Sequence, residues 1–147
     1  ILAAAKRDDI RAAVVLYGAV YDADWKSHPI RPEPIDKLMQ EIKCPLTAVF
    51  GELDNLIHRD NIVRMFTVLA AAKKSFDIRI YADAPHGFLN DTMPGRFRPA
   101  QTEAAWQQIT SFLKSVFAGK WKKERAIWRF QADSSMNYDF ATMKRWE

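Results

Sequence analysis

One cysteine, Cys44, is all that the 147 residues contain, so no internal disulfide framework holds this chain together. No apolar run is long enough to cross a bilayer as a helix, and no membrane partner is expected. The opening residues, Ile-Leu-Ala-Ala-Ala-Lys-Arg-Asp-Asp, lack an initiator methionine and the layout of a signal peptide. No targeting signal therefore identifies a compartment, and a cytoplasmic location is the default expectation. Internal repeats and low-complexity tracts are missing. The three histidines, His28, His58 and His86, form no H-x-x-x-H pair or Cys/His cluster, so no metal site is expected. The net charge of +4 gathers toward Lys120, Lys122, Lys123, Arg125 and Arg129. No nucleic-acid-binding motif accompanies it, and nucleic acid is not an expected partner.

The composition itself is that of an ordinary globular domain, with 48% hydrophobic and 27% charged residues, and the length fits one domain or a large part of one. Ala12–Gly18 is a continuous apolar run closed by glycine, as in a parallel strand buried on both faces. Pro45–Asp54 repeats the theme, with an apolar strand, a glycine and then an acid. A third strand, in Ser75–Gly87, sets Phe76, Ile78 and Ile80 on one face. Between strands, Ile62, Met65, Phe66 and Leu69 make a helical stripe after Asp60, a residue suited to the N-cap. Trp106, Ile109, Leu113 and Val116 make another, stopped near Gly119. The opening residues read as the end of a helix. The segment 21–43 holds Pro29, Pro32 and Pro34, which predict an irregular loop, and then a short helix near Asp36–Ile42. Strands alternating with helices predict an α/β fold with a parallel sheet. The unit spans residues 1–118. An extension, 119–147, carries three of the five tryptophans and is too aromatic for plain disorder; it is expected to fold over the domain or onto a partner.

In open α/β sheets, ligands bind beyond the carboxyl ends of the strands. Asp54 and His86 each follow a strand by a few residues, and consecutive parallel strands are often neighbours. The two side chains are therefore expected to meet. A buried acid bonded to one ring nitrogen fixes the tautomer and leaves the other nitrogen free as a base. Taken singly, a loop histidine is usually a surface residue, and an aspartate after Gly-Glu-Leu can merely cap a turn. It is the placement on successive strand ends that singles out the pair. Asp83 is a rival orienter, but it shares the turn with His86 and would point elsewhere. Tyr17 and Trp25, at or just past the end of the first strand, are candidates to line a pocket.

The stretches I-K-C-P-L-T-A-V-F-G-E-L-D-N-L-I, I-R-I-Y-A-D-A-P-H-G-F-L-N-D and A-A-W-Q-Q-I-T-S-F-L-K-S-V-F resemble the C-terminal half of dienelactone hydrolases, a branch of the α/β-hydrolase superfamily. The resemblance covers about residues 1–118. It implies a partial α/β-hydrolase fold, a parallel sheet flanked by helices, followed by the aromatic extension. It places the family's acid on Asp54 and its histidine on His86, 32 residues later, in the family's order of nucleophile, acid, histidine. The implied activity is hydrolysis of a small ester or lactone by a Cys- or Ser-His-Asp triad, with no cofactor.

The nucleophile elbow of that family, G-x-C-x-G, does not occur in these residues, nor does G-x-S-x-G. It is expected a few residues before Ile1. Cys44 does not replace it, because it precedes its strand and lies roughly 15 Å or more from the edge that holds Asp54. The arginine that the family uses, one turn past the histidine, to hold a substrate carboxylate is here Asn90; Arg96 and Arg98 follow. Without the strand that leads to the elbow, Ala12–Gly18 offers an unpaired apolar edge. The chain is therefore expected to need the missing N-terminal half, or a swapped homodimer partner, and to be inactive alone. The alternative reading is a non-catalytic fragment or accessory subunit that binds through its scaffold and aromatic tail.

Overall fold

The computed structural model describes residues 1–18, 20–30 and 32–130. In chain order these form α1 (Leu2–Lys6), β1 (Ala13–Leu16), a 3-10 turn (Asp22–Trp25), α2 (Ile35–Glu41), β2 (Leu46–Gly51), α3 (Arg59–Ala71), β3 (Phe76–Tyr81), α4 (Pro99–Phe117) and β4 (Ala126–Phe130). The strands build one sheet in the order β1-β2-β3-β4, and every pairing is parallel. This is the open α/β architecture that the alternating pattern predicts.

The two-residue period of a strand divides the sheet side chains between two layers. Val15, Ala48, Phe50, Phe76, Ile78 and Ile80 face α2 and α3 and form the main core with Leu38, Met39, Ile62, Met65 and Leu69. Val49 and Tyr81 face the other way and pack with Phe88, Ala105 and Ile109 under α4. A polar layer continues beside this second core. Tyr81 Oη donates to Gln108 Oε1 at 2.8 Å, and Gln108 Nε2 donates to Thr47 Oγ1 at 2.9 Å. Gln108 is thus buried but satisfied, which removes most of the penalty for placing an amide there.

Three expectations are corrected. The N-cap of α3 is His58, and Asp60 lies within the first turn, where its charge still suits the positive end of the helix dipole. The buried face of α4 is Ala105, Gln108, Ile109 and Phe112; Trp106 is 49% exposed. The apolar stripe misled because the polar network, not an apolar contact, fills position 108. Finally, β1 is covered on one face only. Val15 is buried, while Val14 and Leu16 are 38% and 37% exposed. They lie on the α4 side, in register with Thr47 and Val49, and α4 does not extend over them.

The extension begins by joining the sheet. Trp121 stacks edge-on against Phe112 with ring centroids 4.9 Å apart, and its indole N–H donates to Ser75 Oγ at 2.6 Å. From there β4 pairs along β3, and Trp128 packs against Phe66, centroids 5.2 Å apart. Residues 131–147, with Trp146, lie outside the described residues. At its other end, α4 stops as expected, with Gly119 at φ +68 just past the helix.

Candidate active site

Parallel pairing with matched register brings the ends of β2 and β3 to one edge, Gly51 opposite Tyr81. The two loops that follow stay joined. Glu52 N–H donates to Tyr81 O at 2.8 Å, and Leu53 N–H donates to Ala84 O at 3.0 Å. This close approach requires glycine at position 51, because a Cβ there would lie 2.0 Å from Ala84 O, a backbone atom with little room to yield.

The joined loops carry Asp54 and His86 into contact, with Asp54 Oδ2 2.8 Å from His86 Nδ1. A carboxylate only accepts, so Nδ1 is the ring nitrogen that carries the proton. The other carboxylate oxygen, Oδ1, accepts from Leu56 N–H at 2.8 Å and Ile57 N–H at 2.9 Å. The Asp54 side chain is fully buried, and that of His86 is 20% exposed. The arrangement therefore has an anchored acid, an oriented ring and a second ring nitrogen, Nε2, free to take up a proton. Asp83, the rival orienter, is exposed on the neighbouring turn at φ +54, and its backbone N–H donates to Glu52.

Tyr17 stands over the pair. Its ring meets that of His86 edge-on, centroids 5.0 Å apart, and tilts against Phe88 at 5.9 Å. It does so from a backbone φ of +36, a left-handed conformation unusual for a bulky residue. Trp25 lies deeper. It is buried in the main core, its indole N–H donates to Asn61 Oδ1 at 2.8 Å, and Arg64 lies over its ring at 4.1 Å.

Cys44 is buried at the start of β2, separated from Asp54 by the six residues of that strand, roughly 20 Å at 3.3 Å per residue. Burial pushes its thiol above the ordinary range, the reverse of what a nucleophilic thiolate needs. Arg98 is committed to backbone carbonyls, with Nε donating to Asp83 O and Nη1 to Gly95 O and Phe97 O. Arg96 is exposed, and its side chain runs beside Gly87. Asn90 Oδ1 accepts from the Thr92 backbone and hydroxyl. Among the described residues, no three His, Cys, Asp or Glu side chains are grouped to hold a metal ion.

The sequence model of the dienelactone hydrolase family matches residues 1–117. The chain belongs to the dienelactone hydrolase family. A provisionally named carboxymethylenebutenolidase of Escherichia coli O157:H7 is 30% identical over 119 residues, which are 81% of this chain and 42% of that protein. Another, from Saccharolobus solfataricus, is 30% identical over 86 residues, 58% of this chain and 32% of that protein. The crystal structure of a provisionally named dienelactone hydrolase from Klebsiella pneumoniae superposes with a TM-score of 0.67 at 23% identity, covering 74% of this chain and 43% of that one. That likeness supports the α/β-hydrolase fold. The chain spans less than half the length of these relatives, whose names are those of hydrolases.

Two contributions to this site were not singled out from sequence. One is the backbone anchoring of Asp54 by Leu56 and Ile57, for which the signal is Asp-x-x before Ile57, an Asx-turn pattern. The other is the close approach of Gly51 to Ala84 O; the glycine that closes the strand is visible in the sequence, but the backbone contact that requires it is not.

Proposed function

We propose that this chain supplies the acid and the base of a carboxylic ester or lactone hydrolase, with the nucleophile on a segment outside these 147 residues. The supporting observation is the contact of 2.8 Å between Asp54 and His86 at the carboxyl edge of the sheet, where α/β folds bind ligands. In this reading Asp54 holds His86 with the proton on Nδ1. Nε2 takes the proton of a cysteine or serine as its sulfur or oxygen attacks the ester carbonyl. The proton then passes to the departing alkoxide, leaving an acyl-enzyme. Nε2 next takes a proton from water, whose oxygen attacks the acyl carbon, and the nucleophile leaves reprotonated. The Tyr17 ring, resting on His86, is suited to wall the substrate on one side.

The same reading assigns a partner to the uncovered part of the sheet. Among the described residues, β1 pairs with β2 alone, and Val14, Leu16 and Phe117 remain exposed around it. Arg11 lies over the Phe117 ring at 5.0 Å, so the start of β1 and the end of α4 share one surface. The strand bearing the nucleophile would pair with this open edge, contributed by the preceding part of the protein or by a second copy.

The test is the coding sequence upstream of Ile1. An in-frame G-x-C-x-G or G-x-S-x-G within about twenty codons supports the triad. In the protein that includes it, His86→Gln should lower ester turnover on the order of 10³-fold or more. Undiminished turnover would refute the assignment. An upstream sequence without an elbow would favour the non-catalytic alternative.

A further inference from the structure

A second concentration of unused chemistry lies on the opposite margin of the sheet. A cavity of about 340 Å³ opens between α4, β3 and β4, bounded by Arg79, Arg125, Arg129, Asp77, Ser111 and Trp121. Its size suits a small ligand. Arg125, Arg129 and Trp121 lie beyond the residues that match the family, so family membership does not assign this site.

Among the described residues, the charges here are unbalanced. Arg79 on β3 is directly opposite Arg129 on β4, and like charges facing each other across strands oppose pairing. Among the described residues, no carboxylate lies within ion-pair distance of these three guanidinium groups. Arg79 lies over the Tyr81 ring at 5.5 Å and donates from Nη1 to Tyr81 Oη at 3.4 Å, and Arg125 lies over the Trp121 ring at 4.8 Å, contacts that still leave several of their N–H donors for a ligand. Arg79 Nε is buried without a hydrogen-bond partner, as is Oδ1 of Asp77. Asp77 is itself only 7% exposed. Buried polar atoms normally find partners, and the two residues, two positions apart on β3, both line this cavity.

The sign of that ligand follows. Three guanidinium groups repel a cation. With Asp77 ionised, the wall carries an excess of two positive charges; with Asp77 protonated, its hydroxyl becomes one more donor. Burial does push the Asp77 carboxyl upward, against the pull of Arg129, Arg79 and Arg125. Guanidinium forks match tetrahedral oxyanions, and Ser111 and Ser115 on α4 line the same space. The Trp121 ring supplies a flat apolar wall beside the charges.

We propose that this cavity binds a dianionic phosphate group, carried by a small phosphate monoester whose organic part rests on Trp121. Free phosphate would share the same donors. The probes are inorganic phosphate and phenyl phosphate, titrated into the full chain by calorimetry at fixed salt. Phenyl phosphate is expected to bind one to one and more tightly than phosphate, and Arg129→Gln or Arg125→Gln to weaken it about tenfold or more. Both residues are exposed at the sheet edge, and circular dichroism would verify folding. Lys73→Gln serves as control, because Lys73 lines a neighbouring cavity, at the amino ends of the strands, that shares only Trp121 with this one. Equal affinity for both probes would identify free phosphate as the ligand and overturn the monoester. Binding lost in Lys73→Gln but kept in Arg129→Gln, or no saturable binding at all, would overturn the site. An oligonucleotide that outcompetes phenyl phosphate through the same arginines would overturn the small-molecule ligand.

Discussion

Replacing Asp54 with asparagine separates two jobs that one carboxylate performs. The asparagine Oδ1 can still accept from Leu56 and Ile57, which now donate at 2.8 and 2.9 Å. The fold should therefore lose only about 1 kcal/mol. Asp54→Ala should lose more, since it orphans the Ile57 N–H in a buried position, at about 1–3 kcal/mol, with a smaller loss from the part-exposed Leu56 N–H. The other oxygen, 2.8 Å from His86 Nδ1, becomes an NH₂ donor. Nδ1 can then only accept, so the ring proton must move to Nε2, the atom that has to be free. In a complete enzyme such a tautomer switch lowers turnover by about 10⁴-fold, or about 5.4 kcal/mol at 1.36 kcal/mol per factor of ten. The switch is visible without any nucleophile. Nitrogen-15 NMR of the His86 ring, at a pH where the imidazole is neutral, should find the proton on Nδ1 in the parent chain and on Nε2 in Asp54→Asn. The same tautomer in both proteins would refute the reasoning, whatever the activity.

Gly51→Ala should destabilise the fold by about 1–3 kcal/mol or more, because its Cβ meets a backbone oxygen rather than a movable side chain; denaturant melts measure this, and unchanged stability would mean that the two loops can part freely. Burial raises the Asp77 carboxyl above its ordinary value, so the folded protein holds that proton to higher pH than the unfolded chain does. Its stabilising contribution is complete below the unfolded pKa and is lost as pH rises through the raised folded one. Urea midpoints between about pH 4 and pH 7 should therefore fall less steeply in Asp77→Asn than in the parent, and identical slopes would contradict the burial argument. Leu16→Lys, at the uncovered face of β1, should raise the monomer fraction of this chain in sedimentation velocity, whereas unchanged association would locate the sticky surface elsewhere.

The Asp54–His86 contact was legible because it depends on few facts: parallel strands, consecutive neighbours and two polar residues just past their ends. Each fact is written in local pattern, and no distant residue can alter it. The burial of β1 was not legible in the same way. An apolar run says what a strand would cover, whereas Val14 and Leu16 find no cover among the described residues. The face of α4 was misread because Trp106 looks like core and Gln108 does not, yet a network through Tyr81 and Thr47 makes the amide the better interior residue. β4 escaped notice because Ala126–Phe130 is short, with an arginine between two aromatics, and follows a run of lysines. Its strand character comes from docking on β3 and on Phe66 more than from its own composition.

The late position of β4 has a consequence for how the protein is made. Its partner β3 emerges from the ribosome some fifty residues earlier, as the pairing of Phe76 with Ala126 requires. By then the upstream strands and helices can already have condensed, since translation at about 5–20 residues per second is slow beside folding. Among the described residues β4 is the outermost rung on that side, and only a chain read through Phe130 can add it. A chain that stopped before Ala126 would leave the β3 margin without this partner, an unpaired edge of the kind that invites association with other strands.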